Sequence, residues 1–356
     1  METTRNAFAA EEPVVAEDDW VTLLKDNART GGHGAAALPS PGKALWQIRV
    51  GSSIRSAPVL RQGTLYVTST GGFLHAIQTA DGRMSWKFKA GGMIHSTPSL
   101  SGEMVLFGCD DGKVYAVNGQ SGAKVWEAVT EGEVWASPVV RQGMVFFGSA
   151  DAHMYAVEAQ TGKIRWKREF GGRLYSTAYA AEKQIYVGCG DGHVHSLDAA
   201  TGRILWSRLT GNGIDSSPAL VQDTVLIGSL DFFVYALDAN TGAVRWKYET
   251  GLGVSSPPSI RGEVAVIGSK DGYLYALEIG TGKLLWKVRA GEVITGPVVF
   301  GDSLIYLQSW GLQAHDAASG KMVWRAGLGG GVQNAPVIAG RTIYLTSGGG
   351  DVYALG

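Results

Sequence analysis

The sequence predicts an all-β fold: an eight-bladed β-propeller of four-stranded antiparallel blades, closed by an N-terminal strand that completes the C-terminal blade. Three recurrences predict it. Trp46, Trp86, Trp126, Trp166, Trp206, Trp246, Trp286 and Trp324 follow one another at 40 residues six times and at 38 once. A period near 40 residues is the length of a propeller blade or a solenoid unit. A glycine stands four residues before each tryptophan, from Gly42 to Gly320. A strand motif recurs as His75-Ala76-Ile77, Tyr115-Ala116-Val117, Tyr155-Ala156-Val157, His195-Ser196-Leu197, Tyr235-Ala236-Leu237 and Tyr275-Ala276-Leu277, degenerates to Gln313-Ala314-His315, and returns as Tyr353-Ala354-Leu355. All three count eight.

One unit shows the four strands in order. Ile204-Leu205-Trp206 is the first, broken at Gly211-Asn212-Gly213. Ser217 to Val221 is the second, and Gln222-Asp223 turns it into Thr224 to Gly228. A turn at Leu230-Asp231 leads to Phe233 to Leu237, and Asp238-Ala239-Asn240-Thr241-Gly242 returns to Trp246. Each run is short, rich in β-branched and aromatic residues, and bounded by turn formers. Such short connections force antiparallel neighbours. A proline lies twelve residues after the tryptophan in most units, for example Pro58, Pro98 and Pro218; the fourth unit has Ala178 and the shortened seventh has Pro297. The last unit stops at Tyr353-Ala354-Leu355-Gly356 without a tryptophan strand, and Pro41 to Trp46 is a tryptophan strand without a unit. Pairing the two removes two open sheet edges.

Composition is that of an ordinary globular protein: 356 residues, 45% hydrophobic, 18% charged, net charge −1. The near-zero charge gives no reason to expect a nucleic acid or an anionic membrane as partner. No apolar run is long enough to insert into a membrane. Residues 1–18 read as a flexible acidic leader and 19–356 as a single domain. The start carries no basic segment followed by an apolar run, so the expected location is the cytoplasm, or the periplasm if a signal has been removed. Cys109 and Cys189 occupy equivalent positions two units apart and read as buried free thiols rather than a disulfide.

The string Ala199-Ala200-Thr201-Gly202-Arg203-Ile204-Leu205-Trp206, repeated as Ala239 to Trp246, resembles the tryptophan-docking motif of PQQ-like repeat propellers. The lead-in from Asp19-Trp20 to Asn27-Ala28-Arg29-Thr30-Gly31 resembles their N-terminal segment. The resemblance covers about residues 19–356 and implies the fold closely and the function loosely, because three kinds of protein share it. Quinoprotein dehydrogenases use a disulfide of adjacent cysteines over the quinone, with Glu, Asn and Asp around calcium; no adjacent cysteines occur here. The lipoprotein scaffold of the outer-membrane barrel-assembly machinery has eight such blades, with a signal peptide and a lipidated cysteine that are missing here. Stand-alone PQQ-like propellers fit the length best. No cofactor is expected, and PQQ with calcium is the weakest reading.

The repeats differ most at one position. Nine residues after the tryptophans stand Arg55, His95, Trp135, Tyr175, Asp215, Ser255, Ile294 (allowing for the deletion) and Gln333, and the position after these is small: Ser56, Ser96, Ala136, Ser176, Ser216, Ser256, Thr295 and Asn334. The variable position reads as a rosette at the channel mouth, where binding groups concentrate on loops. In this reading Trp135 and Tyr175 stack on a ligand, joined by Ser255 and Gln333, while Arg55 and Asp215 face each other across the funnel. His95, with Tyr175, Asp215 and Arg55, would carry any catalysis as proton donor or acceptor. The plain alternative is free variation in solvated loops. Trp310, in a turn that is elsewhere Asp-Gly, either caps that pocket or packs under a distorted blade.

Other recurrences read as structure. Asp111, Asp151, Asp191, Asp231 and Asp271 are hairpin-turn residues. His193 and His195, with His153 one unit earlier, form a conceivable zinc site, but His195 takes the place of a tyrosine and reads as packed; no metal is expected. Gly329-Gly330-Gly331 lacks the strand–turn–helix setting of a phosphate loop. The expected function is therefore binding of a small molecule or peptide at the funnel, with or without cofactor-free catalysis. The alternative is a scaffold for a protein partner.

Overall fold

The computed structural model describes residues 40 and 42–356, apart from 310, 329, 330, 332 and 333. The acidic leader, the lead-in segment, Trp310 and Gln333 lie outside the described residues. The described chain forms eight four-stranded antiparallel sheets. Seven are continuous in sequence: blades 1 to 7 span 59–89, 99–129, 139–169, 179–209, 219–249, 259–289 and 299–326. Blade 8 joins 337–355 to the strand Ala44–Arg49. That strand pairs Gln47 with Tyr353 and Arg49 with Asp351, so the predicted closure holds. The innermost strands of blades 2 and 3, 3 and 4, 5 and 6, and 6 and 7 touch.

The strands differ from the expected bounds at several places: the closing strand runs on past Trp46 to Arg49, and Phe233–Asp238 runs one residue beyond Leu237. In blade 5 the innermost strand is Ala219–Val221 and starts two residues late. Pro218 has no N–H to give, and the Ser217 hydroxyl is engaged by the Thr177 N–H at 3.0 Å. The preceding tryptophan strand, in blade 4, runs on to Leu209. Every tryptophan side chain from Trp46 to Trp286 reaches the next blade. Trp206 donates its indole N–H to the Ala239 carbonyl at 2.9 Å, and Trp46 donates to Thr79 at 2.7 Å. The ring lies against the glycine of the following turn. At Gly242, with φ +68°, a Cβ would sit 2.5 Å from the Trp206 ring. The glycine serves both a left-handed backbone and a close approach. The buried core lies between blades, as where Leu74 and Ile94 pack with Leu100 and Val105.

A hydroxyl belt lines the inner ring. The Ala57 N–H donates to the Thr97 hydroxyl at 3.1 Å, Thr97 to Ser137 at 3.0 Å, Ser137 to Thr177 at 3.1 Å, and Thr177 to Ser217 at 3.0 Å. These buried N–H groups precede the first residues of the innermost strands, so the ladders do not reach them and the hydroxyls of the next blade supply their acceptors.

Blade 7 corrects the expected alignment. Its pairing of Val299 with Tyr306 matches Ser259 with Val266 in blade 6, so nothing is lost before residue 306. The two missing residues come from the hairpin where Ser309 pairs with Gly311. Ile294 is therefore not a rosette residue. It is 1% exposed, its Cγ2 would meet a Cβ on Gly268, and it matches Val254 beneath Gly228. Thr295 takes the rosette position, and Gly296 takes the small position that accepts from Ser256 at 2.9 Å.

Candidate binding face

The rosette column projects outward because its neighbours cannot. The residue before it is buried in every described blade from Ile54 to Ile294, and packs under a second-strand glycine in blades 2 to 6. The residue after it is buried too, and in blade 2 Ser96 donates to the Gly108 carbonyl at 2.9 Å. A side chain held between two buried neighbours is left to face solvent. Arg55, Trp135 and Asp215 are exposed; His95, Tyr175, Ser255 and Thr295 are half-buried.

Three of these residues come together. The His95 and Trp135 rings lie 5.0 Å apart with a 47° tilt, and Trp135 stacks on Tyr175 at 4.7 Å and 23°. Trp135 and Tyr175 therefore stack on each other, and with His95 they form a ladder across blades 2 to 4. Arg173 donates to the Tyr175 hydroxyl oxygen at 2.9 Å. Arg55 and Asp215 stand four blades apart, and among the described residues they form no ion pair. Ser255 stands two blades from Tyr175, with its hydroxyl oxygen buried.

Asp110 organises the ladder, and the repeat comparison missed it. Its carboxylate lies 3.4 Å from His95 Nε2. Its other oxygen is buried without a hydrogen bond. Desolvation is the main reason its carboxyl titrates above the usual range; the Glu133 charge adds to this, and His95 and the Trp135 indole oppose it. The sequence signal was present: its column otherwise holds Thr70, Ala150, Gly190, Leu230 and Lys270. It was hidden by the neighbouring Asp111 of the turn series. Where the turn aspartate faces a tyrosine it is structural. Asp151, Asp231 and Asp271 accept from Tyr155, Tyr235 and Tyr275 at 2.5–2.7 Å. Asp231 and Asp271 also hold the Gly211 and Gly251 N–H groups of the loops entering their blades.

Beside the ladder opens a cleft of about 510 Å³ lined by Asp110, Asp111, Glu131, Glu133 and Arg173. Two more clefts, of about 550 and 580 Å³, lie on the opposite face between blades 3 and 4 and between blades 1 and 2. They are formed by turns that recur around the ring, whereas the ladder occurs where the blades diverge. No helix of the described residues is long and apolar enough to cross a membrane.

Cys109 and Cys189 are buried free thiols in separate blades, and burial pushes each up to about 12. They cannot supply a disulfide of adjacent cysteines.

A family model described as outer membrane protein assembly factor BamB matches residues 32–136, 110–251, 190–299 and 270–356. No curated protein gives a significant sequence match. Among solved structures, BamB from Moraxella catarrhalis superposes with a TM-score of 0.77 at 18% identity, covering 88% of this chain and 99% of that one. Quinohemoprotein alcohol dehydrogenase from Comamonas testosteroni gives 0.81 at 17% identity, covering 95% and 80%. The computationally designed Ika8 protein gives 0.79 at 17% identity, covering 88% and 99%. At these identities the likeness is one of fold.

Proposed function

This chain belongs to the PQQ-like repeat family whose model is described as outer membrane protein assembly factor BamB, and on that footing we propose that it is a binding scaffold that docks a basic peptide segment of a protein partner on the His95–Trp135–Tyr175 ladder. One observation carries the reading. The Trp135 indole is 39% exposed, yet it is held between two rings, stacked on Tyr175 and tilted against His95. An aromatic surface already fixed in place binds with little further entropy loss, and tryptophan is the residue most enriched at interface hot spots. Asp110, Glu131 and Glu133 line the adjoining cleft and supply negative charge for Lys or Arg side chains. A small planar cation is the second reading, favoured by the size of that cleft, about 510 Å³.

Selection from a random-peptide display library tests the proposal. Peptides enriched on the wild type should carry Lys or Arg beside an aromatic or aliphatic residue. Trp135→Ala should weaken them about 30-fold, the effect of losing a hot spot of about 2 kcal/mol. Arg55→Ala, four blades from Asp215 and outside the ladder, should leave them unchanged. Enrichment of the same peptides on Trp135→Ala, or no enrichment on the wild type, would refute the reading. Binding of aromatic cations without peptide enrichment would favour the second.

A further inference from the structure

We propose that Cys189, Asp191 and His195, at the hairpin of blade 4, form a binding site for a borderline transition-metal dication, Zn²⁺ foremost. The Cys189 sulfur, an Asp191 oxygen and a His195 ring nitrogen all lie within 4.8 Å of one another. Thiolate, imidazole and carboxylate are the ligand types that zinc takes, and together they favour it over calcium or magnesium.

The repeat supplies internal controls. In blades 3, 5 and 6 the same three positions hold Ser, Asp and Tyr, and the tyrosine hydroxyl donates to the aspartate. Blade 2 has the cysteine, but Tyr115 donates to Asp111 at 2.5 Å. Blade 1 has the histidine, but with Ser69 and Gly71; there His75 Nε2 lies 3.3 Å from the Ser69 hydroxyl. Among these blades, all three ligand types meet only in blade 4. There the aspartate–tyrosine hydrogen bond is replaced by a gap: His195 Nε2 stands 3.8 Å from Asp191 Oδ2, beyond hydrogen-bond reach. His195 is 5% exposed, and its buried Nε2 has no hydrogen-bond partner. Ligand atoms of a tetrahedral zinc site stand roughly 3.3–3.7 Å apart, given zinc–ligand bonds of 2.0–2.3 Å. The gap suits a shared ion better than a shared proton.

A second column changes in the same blade. The residue after the tryptophan is Lys87, Lys167, Lys247 and Lys287 in blades 1, 3, 5 and 6, but Ser207 in blade 4. Lys247 and Lys287 lie over the rings of Phe233 and Tyr273, at 4.2 and 4.7 Å. Ser207 removes that cation from the neighbourhood of the histidines. Its hydroxyl oxygen also sits 2.8 Å from His195 Nδ1. A bond from Nδ1–H to Ser207 leaves the Nε2 lone pair directed at the other two ligands, as an outer-shell partner does for a metal-bound imidazole. The Phe170 ring, 4.6 Å from His195, closes the inner side. His193 stacks on His195 at 5.4 Å with its Nδ1 3.3 Å from Asp191, beside the three ligands and outside their group. Thiolate and carboxylate together balance the charge of a dication.

The test uses the full chain, stripped with a chelator and titrated with Zn²⁺ alone and Co²⁺ alone. One Zn²⁺ per chain is expected, and Co²⁺ should give a thiolate-to-metal charge-transfer band. Cys189→Ser should abolish the band and weaken Zn²⁺ binding at least about 100-fold, and Ser207→Ala, which keeps every ligand, should weaken it about 10–100-fold. His195→Tyr recreates the tyrosine–aspartate pair of the other blades, so it should fold normally and bind no metal. Failure of the folded wild type to bind one Zn²⁺ would overturn the proposal. So would a band and affinity that survive both Cys189→Ser and His195→Tyr.

Discussion

Protonation of His75 should weaken the ring in acid. Its imidazole is 2% exposed, its Nδ1 is buried without a hydrogen bond, and only the Ser69 hydroxyl meets Nε2. Burial, with the Lys87 charge second, lowers its pKa from 6.5 to about 4. The folded pKa lies below the unfolded one, so the unfolded chain takes the proton first. Stability is therefore intact above pH 6.5 and falls as the pH drops from 6.5 towards 4. By linkage the loss is about 2 kcal/mol near pH 5 and approaches about 3 kcal/mol below pH 4. The assay is denaturant unfolding of the wild type and His75→Tyr, near pH 7.5 and near pH 5. Tyrosine is the usual residue of that column and does not titrate in this range. The stability gap between the two proteins should move by about 2 kcal/mol in favour of the variant on acidification. His195, also lowered to about 4 mainly by burial, is common to both and cancels. A gap that does not change with pH would refute the reasoning, whichever protein is the more stable.

Two further substitutions test the repeat architecture. Gly242→Ala should cost about 2–4 kcal/mol in denaturant unfolding, since it adds left-handed strain to a Cβ placed 2.5 Å from the Trp206 ring. Thr97→Val keeps the shape of the side chain but leaves the buried Ala57 N–H without its acceptor, so it should cost about 1–3 kcal/mol by the same measurement.

The parts of the fold written in periodic spacing could be read without coordinates. The tryptophan ladder gave the blade count, the antiparallel order and the partner of the Ala44–Arg49 strand, because each blade repeats one local solution and the spacing carries it. The length of blade 7 told that two residues were missing, but not where. Only cross-strand register decides that, and it put the loss at the Ser309–Gly311 hairpin and exchanged Ile294 for Thr295. The rosette column was found by asking where blades cease to agree. Which of its members touch was not legible, since that depends on ring orientation across a blade boundary. His95, Trp135 and Tyr175 meet because they stand on consecutive blades. Asp110 stayed hidden because a second aspartate with a structural duty stands beside it.

The closing strand also sets an order of events. Seven blades are built from contiguous stretches and can form as the chain leaves the ribosome, each by contacts between near neighbours in sequence. The Ala44–Arg49 strand cannot: Gln47 meets Asp351 across 304 residues. It must wait, unpaired, through the synthesis of every other blade. Leu45 is still 58% exposed after pairing, so an apolar edge stays open to wrong partners during that interval. The slowest and most error-prone step in making this ring is therefore expected to be its last. A chain permuted to begin between blades 4 and 5, with Gly356 linked to Lys43, would make the closing pair local and move that risk to a different seam.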